Sequence, residues 1–361
     1  MIRILFAVET AVALGAGEQV YVAGSPAEMG AWNPAGVAMR RVDDTHWEAE
    51  VELEKAGAIE CKITRGSWAR EAVDEFGHVP ANWHLTARDG MRAAIRVAGW
   101  KDGVGTQARP RIAGEWEVVE GVESAFLKEK RDVIVWLPPG YAAHPGRRYP
   151  VLYLHDGRQV FDPATSTWGK DWQVDEHGLE MVLSGEVEPF IAVAADCTEA
   201  RSTEYHPDRE GEAYARFLVE ELKPMVDARW RTDPERSFTA GSSLGGLMAF
   251  YEAWTRPGIF GAAACLSPAF GAGIESRCAE RVEADGAAGR LPDVRLFISC
   301  GGTGDLEKRL LAGTLEMVDR LKRVGFPEDR MEVHVEGWAE HNEESWERMV
   351  PRMLKFFFGR R

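Results

Sequence analysis

Apolar positions along the 361 residues fall into two regimes. Over residues 1–99 they form short, often alternating runs, at 4–8 (ILFAV), 20–22 (VYV) and 47–51 (WEAEV), divided by the turn-rich pieces GSPAEMGAWNPAG, RVDDT and EKAGA. Alternation turns one face of each run toward a core, and regular short strands with such punctuation predict a β-sandwich and no helix. From residue 121 the runs lengthen and alternate in kind. Residues 131–137, 150–155, 190–195, 237–240, 294–300 and 331–337 are β-type, and helical patterns occupy 212–230, 244–255, 305–324 and 342–358. Near-continuous apolar strands between amphipathic helices predict a mostly parallel sheet covered on both faces. Between the regimes lies WKDGVGTQARPRIAGEW, rich in glycine, charge and proline, which reads as a linker. The expected organisation is a β-sandwich at 1–99, a linker at 100–120 and an α/β domain at 121–361.

One stretch in the second domain carries chemistry. In SFTAGSSLGGLMAF, residues 237–250, a β-type run ends at glycine, a serine follows between small residues, and a helical run begins at once. Gly241-Ser242-Ser243-Leu244-Gly245 fits G-x-S-x-G, in which a sharp strand-to-helix turn presents the serine hydroxyl above a sheet. With 37 glycines in the chain the bare pattern is weak, and its value comes from the predicted strand and helix around it. That context predicts an α/β-hydrolase fold.

A serine hydroxyl needs a base to take its proton and a third group to orient that base. In such folds these follow in the order serine, acid, histidine. Downstream of Ser243 only His334 and His341 are available. His334 lies inside an alternating strand and reads as a structural contact. His341, in the loop GWAEHNEES ahead of the last helix, reads as the base. Asp305 is the first carboxylate after the run 294–300, between glycine and a helix start, and is the expected acid. Glu307 competes with it, as do Glu340, Glu343 and a Ser–His dyad without an acid. The oxyanion of a tetrahedral intermediate requires two backbone N–H donors. Leu244 would supply one, and the loop HDGRQ the other, with Gly157 preferred among Asp156, Gly157 and Arg158. His155-Asp156 could alternatively be a metal pair, but no further ligand has suitable spacing. No metal or cofactor is expected.

Composition narrows the partners. The formal net charge of −15 leaves no basic surplus for nucleic acid or an anionic membrane. The five scattered cysteines suit a reducing compartment. The N-terminal apolar run is too short for a signal peptide and no run approaches a membrane span, so a cytoplasmic protein is expected.

Residues 121–361 resemble the esterase family of α/β-hydrolases that includes enterochelin esterases, feruloyl and acetyl-xylan esterases, S-formylglutathione hydrolase and the mycolyltransferases. The resemblance rests on RDVIVWLPPGY, RRYPVLYLHDGRQVFD, WGKDWQVDE, RSTEYHP, TAGSSLGGLMAFYEAWTRPGIFGAAACLSPAF and EHNEESW. It implies carboxylic-ester hydrolysis, with Ser243 and His341 as nucleophile and base, and Asp305 matches an acid-bearing piece of the feruloyl-esterase branch. Residues 1–99 resemble a starch-binding-type carbohydrate-binding module through VYVAGSPAEMGAWNP, THWEAEVELEKAGAIECKITRGSW and PANWHLT. That resemblance implies aromatic stacking by Trp32 and Trp68 and hydroxyl recognition by Lys62 and Asn82. Ala69 and a longer insert before Asn82 depart from the family pattern. Trp168 and Trp172 fall near the expected pocket, as substrate contacts or as packing, and Arg201 and Glu204 could pair structurally.

The leading expectation is a serine carboxylesterase acting through an acyl-enzyme on acylated sugars or similar small esters, with a possible α-glucan or other glycan held by residues 1–99. The alternatives are an enterochelin-type siderophore esterase, an acyltransferase, and a glycan-binding protein with an inert hydrolase domain. The glycine- and charge-rich stretch 270–292 is a candidate lid.

Overall fold

The computed structural model describes the chain apart from residues 16, 75–78, 81, 104–111, 168, 272, 274–275 and 361. It divides into two compact units, residues 1–111 with 163–169, and residues 112–162 with 170–361.

The first unit is a β-sandwich. One sheet runs Arg40–Arg41, His46–Leu53, Ile2–Thr10, Met91–Val97, and the other runs Val37–Ala38, Tyr21–Gly24, Gly57–Thr64, Trp83–Ala87. The alternation works as expected: Ile4, Phe6 and Val8 point inward from the first strand, against Trp47, Val51 and Ile63. The sandwich reaches past residue 99. Trp100 is buried in the same core, and Gly99–Trp100 pairs with Ala72–Val73. The expected linker is also too long at its other end, because Glu115–Val122 is a strand of the second unit. Its exposed, alternating polar face disguises it as linker; residues 104–111 lie outside the described residues.

The second unit is built on an eight-stranded sheet. Its strands are β1 (Glu115–Val122), β2 (Arg131–Leu137), β3 (Tyr149–Leu154), β4 (Ile191–Ala195), β5 (Thr232–Ser242), β6 (Phe260–Leu266), β7 (Arg295–Gly301) and β8 (Met331–Glu336). They lie in the order β1-β2-β4-β3-β5-β6-β7-β8. The first two pairings are antiparallel and the remaining five are parallel. β6 escaped the sequence pattern because FGAAACL carries three alanines and a glycine in seven residues and is poor in β-formers.

Helices cover both faces, each with its own core. Val174–Ser184 (α1) and Val350–Phe358 (α7) pack against Trp136, Leu152, Ala192 and Phe297. On the other face residues 211–229 (α2), Leu244–Thr255 (α3), Cys278–Ala287 (α4) and Asp305–Arg323 (α5) bury Val133, Val151, Tyr153 and Ile298. The expected last helix is two: Glu343–Glu347 (α6) ends before α7, which starts with Pro351 in its first turn. Within the candidate lid, 278–287 is the helix α4, held by the buried Val282. The five cysteines are free thiols.

Candidate active site

The C-terminal ends of β3, β5, β6, β7 and β8 converge on Ser243. Ser243 itself has φ 57° and ψ −120°, a backbone state that a residue with a Cβ adopts only when its surroundings impose it. The imposition is visible. Its N–H donates to Leu266 O (2.9 Å), and its carbonyl accepts from Leu247 N (3.1 Å) and Ala269 N (2.9 Å). The first glycine of G-x-S-x-G is obligatory, since a Cβ on Gly241 would stand 2.4 Å from the Gly245 carbonyl carbon and 2.8 Å from His155 Cδ2.

His341 reaches this serine from the loop after β8. Its Nε2 lies 3.1 Å from Ser243 Oγ. Its Nδ1 lies 2.6 Å from Glu307 Oε2. The carboxylate brought to the imidazole is therefore Glu307 and not Asp305. Asp305 is exposed in the first turn of α5, where its charge complements the helix N-terminus. Two residues further along the helix, Glu307 turns inward and is fully buried.

Three more donors fix Glu307. Its Oε1 accepts from Gly301 N (2.6 Å), Ser267 Oγ (2.6 Å) and, weakly, Cys300 Sγ (3.4 Å). Burial works to raise this carboxyl's pKa, but the bonds from His341, Ser267 and Gly301 outweigh it and hold the pKa below its ordinary value. Ser267, itself at φ 42°, accepts from Trp346 Nε1 (3.0 Å), so its single proton is left for Glu307. The Trp346 ring stands edge-on to His341, with centroids 5.0 Å apart. Neither Ser267 nor Trp346 stood out in the sequence, although CLSPAF places a hydroxyl immediately after a strand.

The loop after β3 faces the serine from the other side. Asp156 takes φ 57°, held by a bidentate pair with Arg201 (2.6 and 2.8 Å) and by its own N–H donating to Tyr205 Oη (3.1 Å). That bond removes Asp156 N from the candidate oxyanion donors. Gly157 follows at the start of the short turn Gly157–Gln159, where a Cβ would stand 2.7 Å from Asp196 Oδ1 and 2.9 Å from Ala194 O. Leu244 opens α3, so its N–H has no acceptor within the helix.

Several expectations change here. Arg201 pairs with Asp156, while Glu204 binds Arg131 through two contacts of 3.1 Å, so Arg201 and Glu204 do not pair with each other. His155 is buried against Tyr214, Thr239 and Glu252 and is no metal partner of Asp156. Trp172 is fully buried and packs edge-on against Trp346 (6.1 Å), so it cannot be a substrate-pocket wall. Trp168 lies outside the described residues. His334 bonds Glu332 (2.6 Å), away from the serine.

In the β-sandwich unit Trp32, Lys62, Trp68 and Asn82 line one cavity of about 500 Å³, together with Glu71 and Lys101. Trp32 sits at φ 67° after Ala31 at φ 46°, and Trp68 is 37% exposed. Lys62 Nζ donates to Pro80 O (2.5 Å), and Asn82 Nδ2 to Glu60 Oε2 (2.8 Å). Among the described residues no helix is long and apolar enough to cross a membrane.

A serine raised on a strained strand–helix turn above a mainly parallel, doubly covered sheet defines an α/β-hydrolase. Residues 124–357 match the family described as "Putative esterase", and residues 1–87 match the starch binding domain. The chain belongs to that esterase family and is an ester hydrolase with an N-terminal starch binding domain. It is 25% identical over 262 residues to the Bacillus subtilis protein YbbA, covering 67% of this chain and 98% of YbbA. Among solved structures it is similar to a ferulic acid esterase (TM-score 0.55, 24% identity, 68% of this chain and 98% of that one). It is also similar to the enterobactin esterase FES from Shigella flexneri (TM-score 0.55, 16% identity, 97% and 91%).

Proposed function

We propose that the chain is a serine carboxylesterase in which Ser243 is the nucleophile, His341 the general base and Glu307 the orienting acid. The observation that carries this reading is the unbroken line from Ser243 Oγ through His341 to Glu307, with contacts of 3.1 and 2.6 Å. Glu307 accepts a hydrogen bond from Nδ1–H, which holds the proton on Nδ1 and leaves Nε2 unprotonated toward the serine. Ser243 Oγ attacks the ester carbonyl as His341 takes its proton, and the N–H groups of Leu244 and Gly157 face the developing oxyanion. His341 returns the proton to the leaving alcohol, and the acyl-serine forms. Water then enters and attacks the acyl carbon as His341 takes one of its protons; His341 passes that proton to Ser243 Oγ as the Oγ–acyl bond breaks, which releases the acid and restores Ser243. Asp305 is not assigned a role.

The substrate class proposed is an acylated sugar or a similar small ester. The starch binding domain and the cavity lined by Trp32, Trp68, Lys62 and Asn82 support a glycan on the substrate or its carrier. A siderophore lactone is a second reading, favoured by the shape match to the Shigella enterobactin esterase across 97% of the chain. Against a polyanionic substrate, the two arginines flanking the loop after β3 are already neutralised, Arg201 by Asp156 and Arg158 by Asp196.

Turnover of p-nitrophenyl acetate tests the first claim. Ser243→Ala should abolish it, and a fluorophosphonate probe should label the wild type at Ser243; a wild type inert to both ends the proposal. Parallel assays with acetylated xylo-oligosaccharides and enterobactin separate the two substrate readings.

A further inference from the structure

The sequence reading expects no metal, yet the segment leading into α1 assembles three carboxylates. Asp171, Asp175 and Glu176 each bring one oxygen to within 4.8 Å of the other two. Asp175 is fully buried and Asp171 is 5% exposed, while Glu176 opens to solvent. Asp162, also buried, adds negative potential to the same place.

The hydrogen bonding does not account for this cluster. Asp175 Oδ2 accepts the Ala113 N–H (2.5 Å), but its other oxygen, Oδ1, is buried with no hydrogen-bond partner. Among the described residues Asp171 accepts the nearby Gln173 N–H (3.1 Å) from its own loop. Among the described residues no arginine, lysine or histidine forms an ion pair with any of the three. Three other buried carboxylates of this unit do face a cationic or imidazole partner: Glu204 faces Arg131, Asp156 faces Arg201 and Glu307 faces His341. Burying uncompensated carboxylates side by side is costly, and such groups are normally paired or bound to a metal.

We propose that Asp171, Asp175 and Glu176 form a binding site for a calcium-type divalent cation. The ligands are all hard oxygens, which select such ions over soft metals. The exposed Glu176 gives the ion its entry, and waters complete its shell. The site is structural: Trp172, between the ligands, packs on Trp346, which donates to Ser267 and faces His341, so the ion would stiffen the backing of the histidine.

The test uses the full chain after EDTA treatment and dialysis. Terbium, a calcium stand-in, should show tryptophan-sensitised emission because Trp172 adjoins the site, and calcium should quench that emission by competition. Calcium should also raise the Tm in a concentration-dependent way, since it binds the folded chain. Asp175→Asn should remove both effects, and Glu176→Gln should weaken binding about tenfold or more by removing one charge. The proposal is overturned if the wild type shows neither emission nor a Tm shift, or if emission persists unchanged in Asp175→Asn. Should Asp175→Asn not fold, the exposed Glu176→Gln decides alone, and unchanged calcium affinity in it overturns the site.

Discussion

Replacing Glu307 by glutamine tests the geometry at its most specific point. Three donors converge on the carboxylate: Gly301 N–H and Ser267 O–H on Oε1, and His341 Nδ1–H on Oε2, all at 2.6 Å. A carboxylate only accepts, and it satisfies all three. Glutamine has one accepting oxygen and one donating NH2. If its oxygen stays with Gly301 and Ser267, the NH2 faces His341 Nδ1 and forces the other tautomer, with the proton on Nε2 pointing at Ser243. That imidazole cannot take the serine proton. If the amide is reversed, two donors confront the NH2 in a buried site. The reversed amide would keep the productive tautomer but sets the NH2 against the Gly301 N–H, so the first arrangement is favoured, and the histidine loses its free Nε2 while volume and fold are kept. The same carboxylate-to-amide change in a serine protease costs about 10⁴ in kcat, or about 5.4 kcal/mol of barrier, and a loss of that order is expected here. Asp305→Asn is the control. Its side chain is exposed at the start of α5, so kcat/KM should stay within about twofold, with about 0.3–1 kcal/mol of helix-end stability lost. Both variants are compared on p-nitrophenyl acetate, with active sites counted by the acylation burst. A Glu307→Gln enzyme within about tenfold of wild type, or an Asp305→Asn enzyme down by 10³, would refute the assignment.

Three other outcomes follow from separate parts of the molecule. Gly241→Ala places a Cβ 2.4–2.5 Å from the Gly245 carbonyl, a backbone clash that should cost about 1–3 kcal/mol in urea unfolding and remove most activity by displacing Ser243. Because the folded pKa of Glu307 is lowered from 4.5, its contribution to stability is complete above that value and is lost as the pH falls through the folded pKa; Tm against pH should therefore fall less steeply on the acid side in Glu307→Gln than in wild type. If the cavity of the first unit holds glycan, amylose retards the wild type in affinity gels and not Trp32→Ala with Trp68→Ala, while p-nitrophenyl acetate turnover is unchanged; equal retardation of both assigns the tryptophans to packing.

What the sequence disclosed and what it hid have different physical sources. Strands whose periodicity reports burial were legible, and so were Ser243 and His341, because each occupies a loop position dictated by a neighbouring strand. Glu307 was ranked behind Asp305 because proximity in sequence favours the first carboxylate after β7. The chain does not leave β7 in the way that rule assumes. Gly302 N and Thr303 N both donate to Ala339 O, so the chain beyond Gly301 is tied beneath the loop that carries His341. The crossing is tight, since a Cβ on Gly301 would stand 2.3 Å from that same Ala339 oxygen. Asp305, arriving first, is spent at the helix end, and the third residue of α5 turns back toward Gly301 N and the imidazole. Trp172, open in the sequence to substrate contact or to packing, is packing, because an aromatic near a pocket in sequence need not face it. It lies one layer behind, where its contact with Trp346 supports the ring that orders Ser267 and His341. The orientation of the base thus depends on a buried stack as well as on its carboxylate. Trp346→Phe, which keeps the ring but removes the Nε1–H, should leave Ser267 free to rotate away from Glu307. The expected signature is a fall in kcat with KM unchanged, and an unaltered kcat would show that Gly301 and His341 alone suffice to hold the carboxylate.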